Sequence, residues 1–166
     1  MFELNIPIED VVVDSRRPQL YVSGKVWITI DGYDFPGHGW TDEVLPFLGS
    51  LRTAIGEARS GEEADFYFWE GNFFVKLVPI PVAPDARYVE VFAVHEGADP
   101  EEGGAVEASC VCALTELDDL LQAKIGELSR WAHDHQEAEL LEFLSRMRDR
   151  RSTPLRFADG ASARSY

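Results

Sequence analysis

The residues with chemical potential are few and scattered. His133-Asp134-His135 is the string nearest to a metal-binding pattern, yet in a regular helix side chains at i and i+2 point roughly 200° apart, so both imidazoles cannot reach one ion. A helix break there, with Glu137 or Glu139 nearby, would bring them closer but supplies no third fixed ligand. Cys110 and Cys112 are the two cysteines. At i, i+2 in a strand they share a face, a spacing that strains a disulfide and leaves a zinc shell two ligands short. They read as small buried hydrophobes in a reducing compartment. His38 lies between two glycines and beside Trp40, in a loop of the kind that carries catalytic groups, but no GxSxG or other nucleophile pattern pairs with it. The acidic pairs Asp42/Glu43, Glu62/Glu63, Glu101/Glu102 and Asp118/Asp119 arise readily among 30 acidic residues, and adjacent carboxylates usually just face water. Gly37-His38-Gly39 and Gly103-Gly104 precede no helix with a Lys-Ser/Thr pair, so neither is a phosphate loop. No catalytic residue, metal ligand or cofactor is assigned from these residues.

The aromatic set stands apart. Tyr67, Trp69 and Phe74, with Trp27 and Trp40, form either a second core layer under helices or a recognition surface, because Trp and Tyr anchor binding hot spots.

The elements that position these residues follow from periodicity and turn chemistry. Phe2, Leu4, Ile6 and Ile8 alternate with polar residues, and Pro7 marks an edge strand. Leu20, Val22, Val26, Ile28 and Ile30 share one parity up to Asp31-Gly32, a two-residue hairpin turn that pairs Ile30 with Tyr33, Thr29 with Asp34 and Ile28 with Phe35. Thr41 is expected to cap a helix over 42–59, with Asp42 and Glu43 in its first turn and Gly61 ending it. Ala64 to Val78 reads as a second hairpin with a Gly71-Asn72 turn, pairing Glu70 with Phe73, Trp69 with Phe74, Phe68 with Val75, Tyr67 with Lys76 and Phe66 with Leu77. Both its faces are apolar, so either two layers cover it or one face awaits a partner. Strands follow at Arg87 to His95 and Ala105 to Leu114, separated by an acidic loop from Glu96 to Gly104. Thr115-x-x-Asp118 has a capping-box pattern. A single helix over 116–150 would be about 50 Å long, so a break is expected near Asp134, with Leu140, Leu141, Phe143, Leu144 and Met147 on the face of the second piece. Residues 1–150 read as one α+β domain: a twisted, mainly antiparallel sheet of about six or seven strands, one inserted helix and two C-terminal helices packed on it. Residues 151–166 read as a basic, flexible tail.

Charge narrows the choice of partner. The 166 residues hold 15 Lys+Arg and 30 Asp+Glu, a formal charge of −15. Residues 146–166 carry six Arg and two Asp, net +4, leaving nine basic and 28 acidic groups, net −19, on residues 1–145. Such a body repels nucleic acid and anionic membrane and attracts basic proteins. No apolar run approaches the roughly 20 residues needed to span a bilayer, and the N-terminus lacks the basic and apolar regions of a signal peptide. The expected location is therefore cytoplasmic.

Gly24-Lys25-Val26-x-Ile28-x-Ile30-Asp31-Gly32, Phe35-Pro36, Trp40-x-Asp42 and Phe68-Trp69-Glu70-Gly71 resemble small bacterial proteins of unknown function, some of them similar to immunity proteins encoded beside polymorphic toxins. The resemblance spans about a third of the chain, from Tyr21 to Phe74. It implies a protein that binds a protein partner without catalysis, and it brings no catalytic residues. The sequence thus leads to a non-enzymatic protein-binding module of the immunity or inhibitor type, occluding a basic partner through Trp69, Tyr67, Phe74, Trp40 and Trp27. Two other readings stand beside it: a small-ligand protein or enzyme with a pocket near His38 and Trp40, and a homodimer that buries the second hairpin face against its own copy.

Overall fold

The computed structural model describes residues 1–81, 87–97 and 104–148; the expected tail and most of the acidic loop lie outside these residues. The chain is an α+β protein. Its strands are β1 (Phe2–Asn5), β2 (Val12–Val13), β3 (Val22–Lys25), β4 (Trp27–Ile30), β5 (Tyr33–Phe35), β6 (Thr41–Glu43), β7 (Ala64–Tyr67), β8 (Phe73–Ile80), β9 (Tyr88–His95) and β10 (Ala105–Ala113). A short 3-10 helix covers Ile8–Asp10, and the α-helices are α1 (Val44–Arg59), α2 (Leu114–Asp134) and α3 (Ala138–Arg148).

The strands form three antiparallel sheets, ordered β1-β4-β5, β2-β3-β6 and β10-β9-β8-β7, where the sequence predicts one sheet. The separation of the first two is visible at Val26. The alternating run from Leu20 to Ile30 breaks there, because the Val26 amide donates to the Trp40 carbonyl at 2.7 Å. Residues 22–25 therefore pair with β2 and β6, while residues 27–30 pair with β1 and β5. The Asp31-Gly32 turn keeps the expected register, with Ile28 opposite Phe35.

Thr41 is not a helix cap. Thr41–Glu43 pair with Ser23–Lys25 of β3, so the chain stays extended through Glu43 and α1 begins at Val44. Pro46 is then the third helical residue, where an amide would have no partner inside the helix. α1 buries Val44, Leu45, Phe47, Leu48, Leu51, Ala54, Ile55 and Ala58, and each large apolar side chain contributes about 1.5–3 kcal/mol by leaving water. Phe47 meets Phe66 and Phe68 of the second hairpin at ring-centroid distances of 5.8 and 4.9 Å.

The predicted capping box at Thr115 does not form either: α2 starts at Leu114, and Asp118 pairs with Arg59 of α1 at 2.9 Å. The helical stripe itself holds, since Leu117, Leu121, Ile125, Leu128 and Ala132 are buried. The expected break falls just beyond Asp134, where Gln136 takes a positive φ of 59° and the chain turns into α3. Leu140, Leu144 and Met147 of α3 are buried, while Leu141 and Phe143 are partly so. Among the described residues no helix is long and apolar enough to cross a membrane.

Candidate interaction surface

The centre of the candidate surface is organised by a buried carboxylate. Asp42, on β6 and 2% exposed, accepts hydrogen bonds from the amides of Glu43 (2.7 Å), Trp69 (3.0 Å) and Glu70 (3.3 Å) and from the Trp40 indole N–H (3.2 Å). These bonds fix the loop between β7 and β8. They also explain why that hairpin departs from its predicted register: β7 pairs Phe66 with Val75 and Tyr67 with Phe74, two residues from the expected alignment. With Trp69 and Glu70 held by Asp42, the turn is the longer loop 69–72, closed by the Phe68 amide on the Phe73 carbonyl at 3.1 Å. Gly71 has a φ of 80°, and a Cβ there would lie 2.9 Å from the Phe73 ring. Because the slip is two residues, every side chain keeps its expected face.

One face of this hairpin is core: Phe66, Phe68, Val75 and Leu77 are buried. The other is open. Tyr67 and Trp69 are 47% and 50% exposed, and the Tyr67 and Phe74 rings lie 6.1 Å apart. The same open face continues across the four-stranded sheet. Lys76 lies opposite Phe92, which lies opposite Ser109, and Glu90 lies opposite Val111. Tyr88, Val106 and Val111 are exposed.

Trp40 and Trp27 serve differently. Trp40 sits beneath the loop, edge-on to Phe73 at 5.2 Å, with its N–H on Asp42. Trp27 is 8% exposed, with its ring 4.7 Å from that of His38, and leaves little surface for a partner. Sequence reasoning missed Asp42 because an acid after a Thr reads as a helix start. Only its strand pairing with Gly24 turns it inward.

The open hairpin edge borders a solvent-open cavity of about 430 Å³ between β7 and α1, lined among others by Ser50, Thr53, Glu57, Glu63, Asp65, Tyr67 and Trp69. The Ser50 hydroxyl accepts from the Tyr67 amide at 3.1 Å. Burial pushes the carboxyls of Asp42, Glu43 and Asp65 up. Hydrogen bonds from Glu43, Glu70, Trp40 and Trp69 oppose this at Asp42, and Lys76 and Tyr67 oppose it at Asp65. A second cavity, of about 370 Å³, lies among α1, α2 and Met147 of α3 and includes the Arg59–Asp118 pair.

The histidines are placed as follows. His38 Nδ1 is 3.1 Å from Asp34 Oδ2, and Asp34 accepts from the Thr29 hydroxyl at 2.6 Å. The Thr29 bond above all, then those of His38 and Trp27, holds the Asp34 carboxyl below its ordinary range. This relay orients an imidazole that is itself mostly exposed, and neither cavity above includes His38 or Trp40 in its lining. His133 faces Asp134 at 3.4 Å, and the His135 ring stacks on Trp131 at 4.3 Å. Among the described residues no three His, Cys, Asp or Glu side chains are placed to hold a metal ion. Cys112 is buried and Cys110 half-buried. The hydrogen bond with Cys110, and then burial, push the Cys112 thiol far up, while the same bond lowers that of Cys110.

No protein-family model matches the chain, and neither does any curated protein or any solved structure.

Proposed function

We propose that the protein is a non-enzymatic binding module that occludes a basic protein partner, in the manner of an immunity or inhibitor protein. The observation that carries this reading is the half-exposure of Tyr67, at the end of β7, and of Trp69, on the loop whose amides Asp42 holds. An aromatic anchor held in place loses little entropy on binding, which is where preorganised surfaces gain affinity. The net −19 of residues 1–145 raises the association rate with a cationic partner and is screened by salt.

The test is capture of partners from source cells at low and high salt by wild type and by Trp69→Ala. A stoichiometric basic protein, held at low salt, released at high salt and lost with Trp69→Ala at unchanged melting temperature, is the expected result. A Trp69→Ala protein that unfolds would show the ring to be structural, and one that still captures the partner would place the interface elsewhere. A second reading, self-association, is favoured by the open sheet face bearing Tyr88, Val106 and Val111. Sedimentation velocity decides it, since a monomer at micromolar concentration removes an obligate dimer.

A further inference from the structure

We infer that Cys110 and Cys112 form a two-coordinate thiolate site for a soft monovalent cation, Cu(I), a role separate from the binding surface proposed above. The two residues lie on one face of β10, opposite Val91 and Val89 of β9, while Val111 between them faces the open side and is 57% exposed. The two thiols are hydrogen-bonded to each other. Positions two apart in a strand hold their Cβ atoms about 6.6 Å apart, beyond the roughly 3.5–4.5 Å that a disulfide spans. A metal ion between the sulfurs, with two bonds of about 2.3 Å, sets them about 4.6 Å apart and closes that gap. The S–H···S axis already present is the axis that such an ion occupies.

The donor count selects the ion. Structural zinc takes four ligands, and among the described residues no third His, Cys, Asp or Glu is placed to complete a metal-binding group. Cu(I) is satisfied by two donors, and thiolates are the soft ligands that select it. Burial is graded in the way such a site needs. Cys112 is 5% exposed and lies among Val89 and Val91, both fully buried, so water is kept from one sulfur, while the half-buried Cys110 gives the ion its way in. On binding, both S–H bonds break and two S–Cu bonds form; the protons pass to solvent and no electron moves. The bis-thiolate complex carries one negative charge. The charged groups that act on Cys110 are the Met1 amine, Asp31 and Glu116; the first two pair with each other, and the open side of Cys110 lets water share the charge of the complex.

The test titrates Cu(I) into the reduced full chain without oxygen, in competition with ferrozine, a chromophoric Cu(I) chelator, and titrates Zn(II) in parallel. We expect one Cu(I) per chain held against the chelator, release of protons, an ultraviolet thiolate-to-copper charge-transfer band, and an X-ray absorption spectrum with two sulfur neighbours. Zn(II) should be held far more weakly. Cys110→Ala, at the more exposed sulfur, should weaken Cu(I) binding by more than about 100-fold, beyond the roughly 10–100-fold that loss of an outer-shell partner costs. Failure to hold copper against ferrozine would overturn the inference. So would equal retention by Cys110→Ala, Zn(II) held as tightly as Cu(I), or three or four donors around the copper. One Cu(I) shared between two chains, seen by sedimentation of the loaded protein, would likewise defeat a site built within one strand. If Cys110→Ala fails to fold, the coordination number of the wild-type complex decides by itself.

Discussion

Replacing Asp42 by Ala tests whether a single carboxylate holds the loop that displays Trp69. Three backbone amides and one indole N–H lose their acceptor. Left unpaired in a dry interior, each would cost about 1–3 kcal/mol. The loop is half open, so water replaces part of the loss, and about 1 kcal/mol for each donor is the appropriate end of that range. Against the resulting ~4 kcal/mol stands relief of the desolvation that Asp42 suffers at 2% exposure, which leaves a net loss of about 2–3 kcal/mol. For a chain of this length each kcal/mol lowers the melting temperature by about 2–4 °C, so Asp42→Ala should melt roughly 4–12 °C below wild type. Asp42→Asn keeps one acceptor and sets an NH2 against the remaining donors, and it should fall between the two. Hydrogen exchange supplies the local readout: the Trp69 and Glu70 amides should lose protection while amides of α2 change only as much as global stability does. A melting temperature within about 2 °C of wild type, less than the shift of one lost kcal/mol, together with unchanged Trp69 exchange, would refute the anchor.

Further expectations follow from the same contacts. Gly71→Ala places a Cβ against the Phe73 ring at a φ of 80° and should destabilise by about 2 kcal/mol, measured by urea unfolding. Gly56→Ala meets nothing within 4 Å in α1 and should instead stabilise by about 0.5–1 kcal/mol; destabilisation there would contradict the helix assignment. Stability should rise as pH falls toward the ordinary carboxylate range. Asp42, Glu43 and Asp65 have folded-state pKa values above those of the unfolded chain, so in the window between the two the folded protein binds more protons and is favoured as pH falls. The opposite limb, from the lowered Asp14 and Asp34, sets in only below the ordinary aspartate value of about 4. A melting temperature that drops steadily from pH 7 to pH 5 would refute this. Asp118→Ala removes a buried carboxylate and leaves the partly exposed Arg59 without its 2.9 Å partner, which should cost about 1 kcal/mol, the upper end for a pair whose cation still reaches water.

Local chemistry made part of the fold legible. Asp31-Gly32 set its hairpin because turn geometry alone fixes the pairing of a two-residue loop, and the stripes of α1 and α2 appeared because a helix buries one face at a fixed period. What stayed hidden depends on contacts far apart in sequence. Thr41 and Thr115 both have the composition of a cap, yet a cap forms only where the chain leaves its extended conformation. Pairing of Thr41–Glu43 with β3 keeps it extended through Glu43, and the pairing of Ala113 with Tyr88 does so up to Leu114. The division of β3 and β4 between two sheets falls at Val26, whose amide bonds the Trp40 carbonyl, a contact no alternation pattern encodes.

The candidate surface was half legible for a related reason. A period of two told which residues share a side of the hairpin, so Tyr67, Trp69 and Phe74 were grouped together even in the wrong register. It could not tell which side the rest of the chain covers. α1 packs on the Phe66 and Phe68 side, and that choice depends on where Asp42 ties the loop to β6, 27 residues earlier in the chain. Asp42 therefore links fold and function: the same bonds that shift the register hold Trp69 at the cavity mouth. A partner-binding defect in Asp42→Asn, at a temperature where the protein remains folded and with the Trp69 side chain intact, should thus resemble that of Trp69→Ala. Isothermal titration of a captured partner against both variants compares them directly. If Asp42→Asn bound the partner as wild type does while Trp69→Ala did not, the ring would act without preorganisation, and the entropic part of the argument would fail.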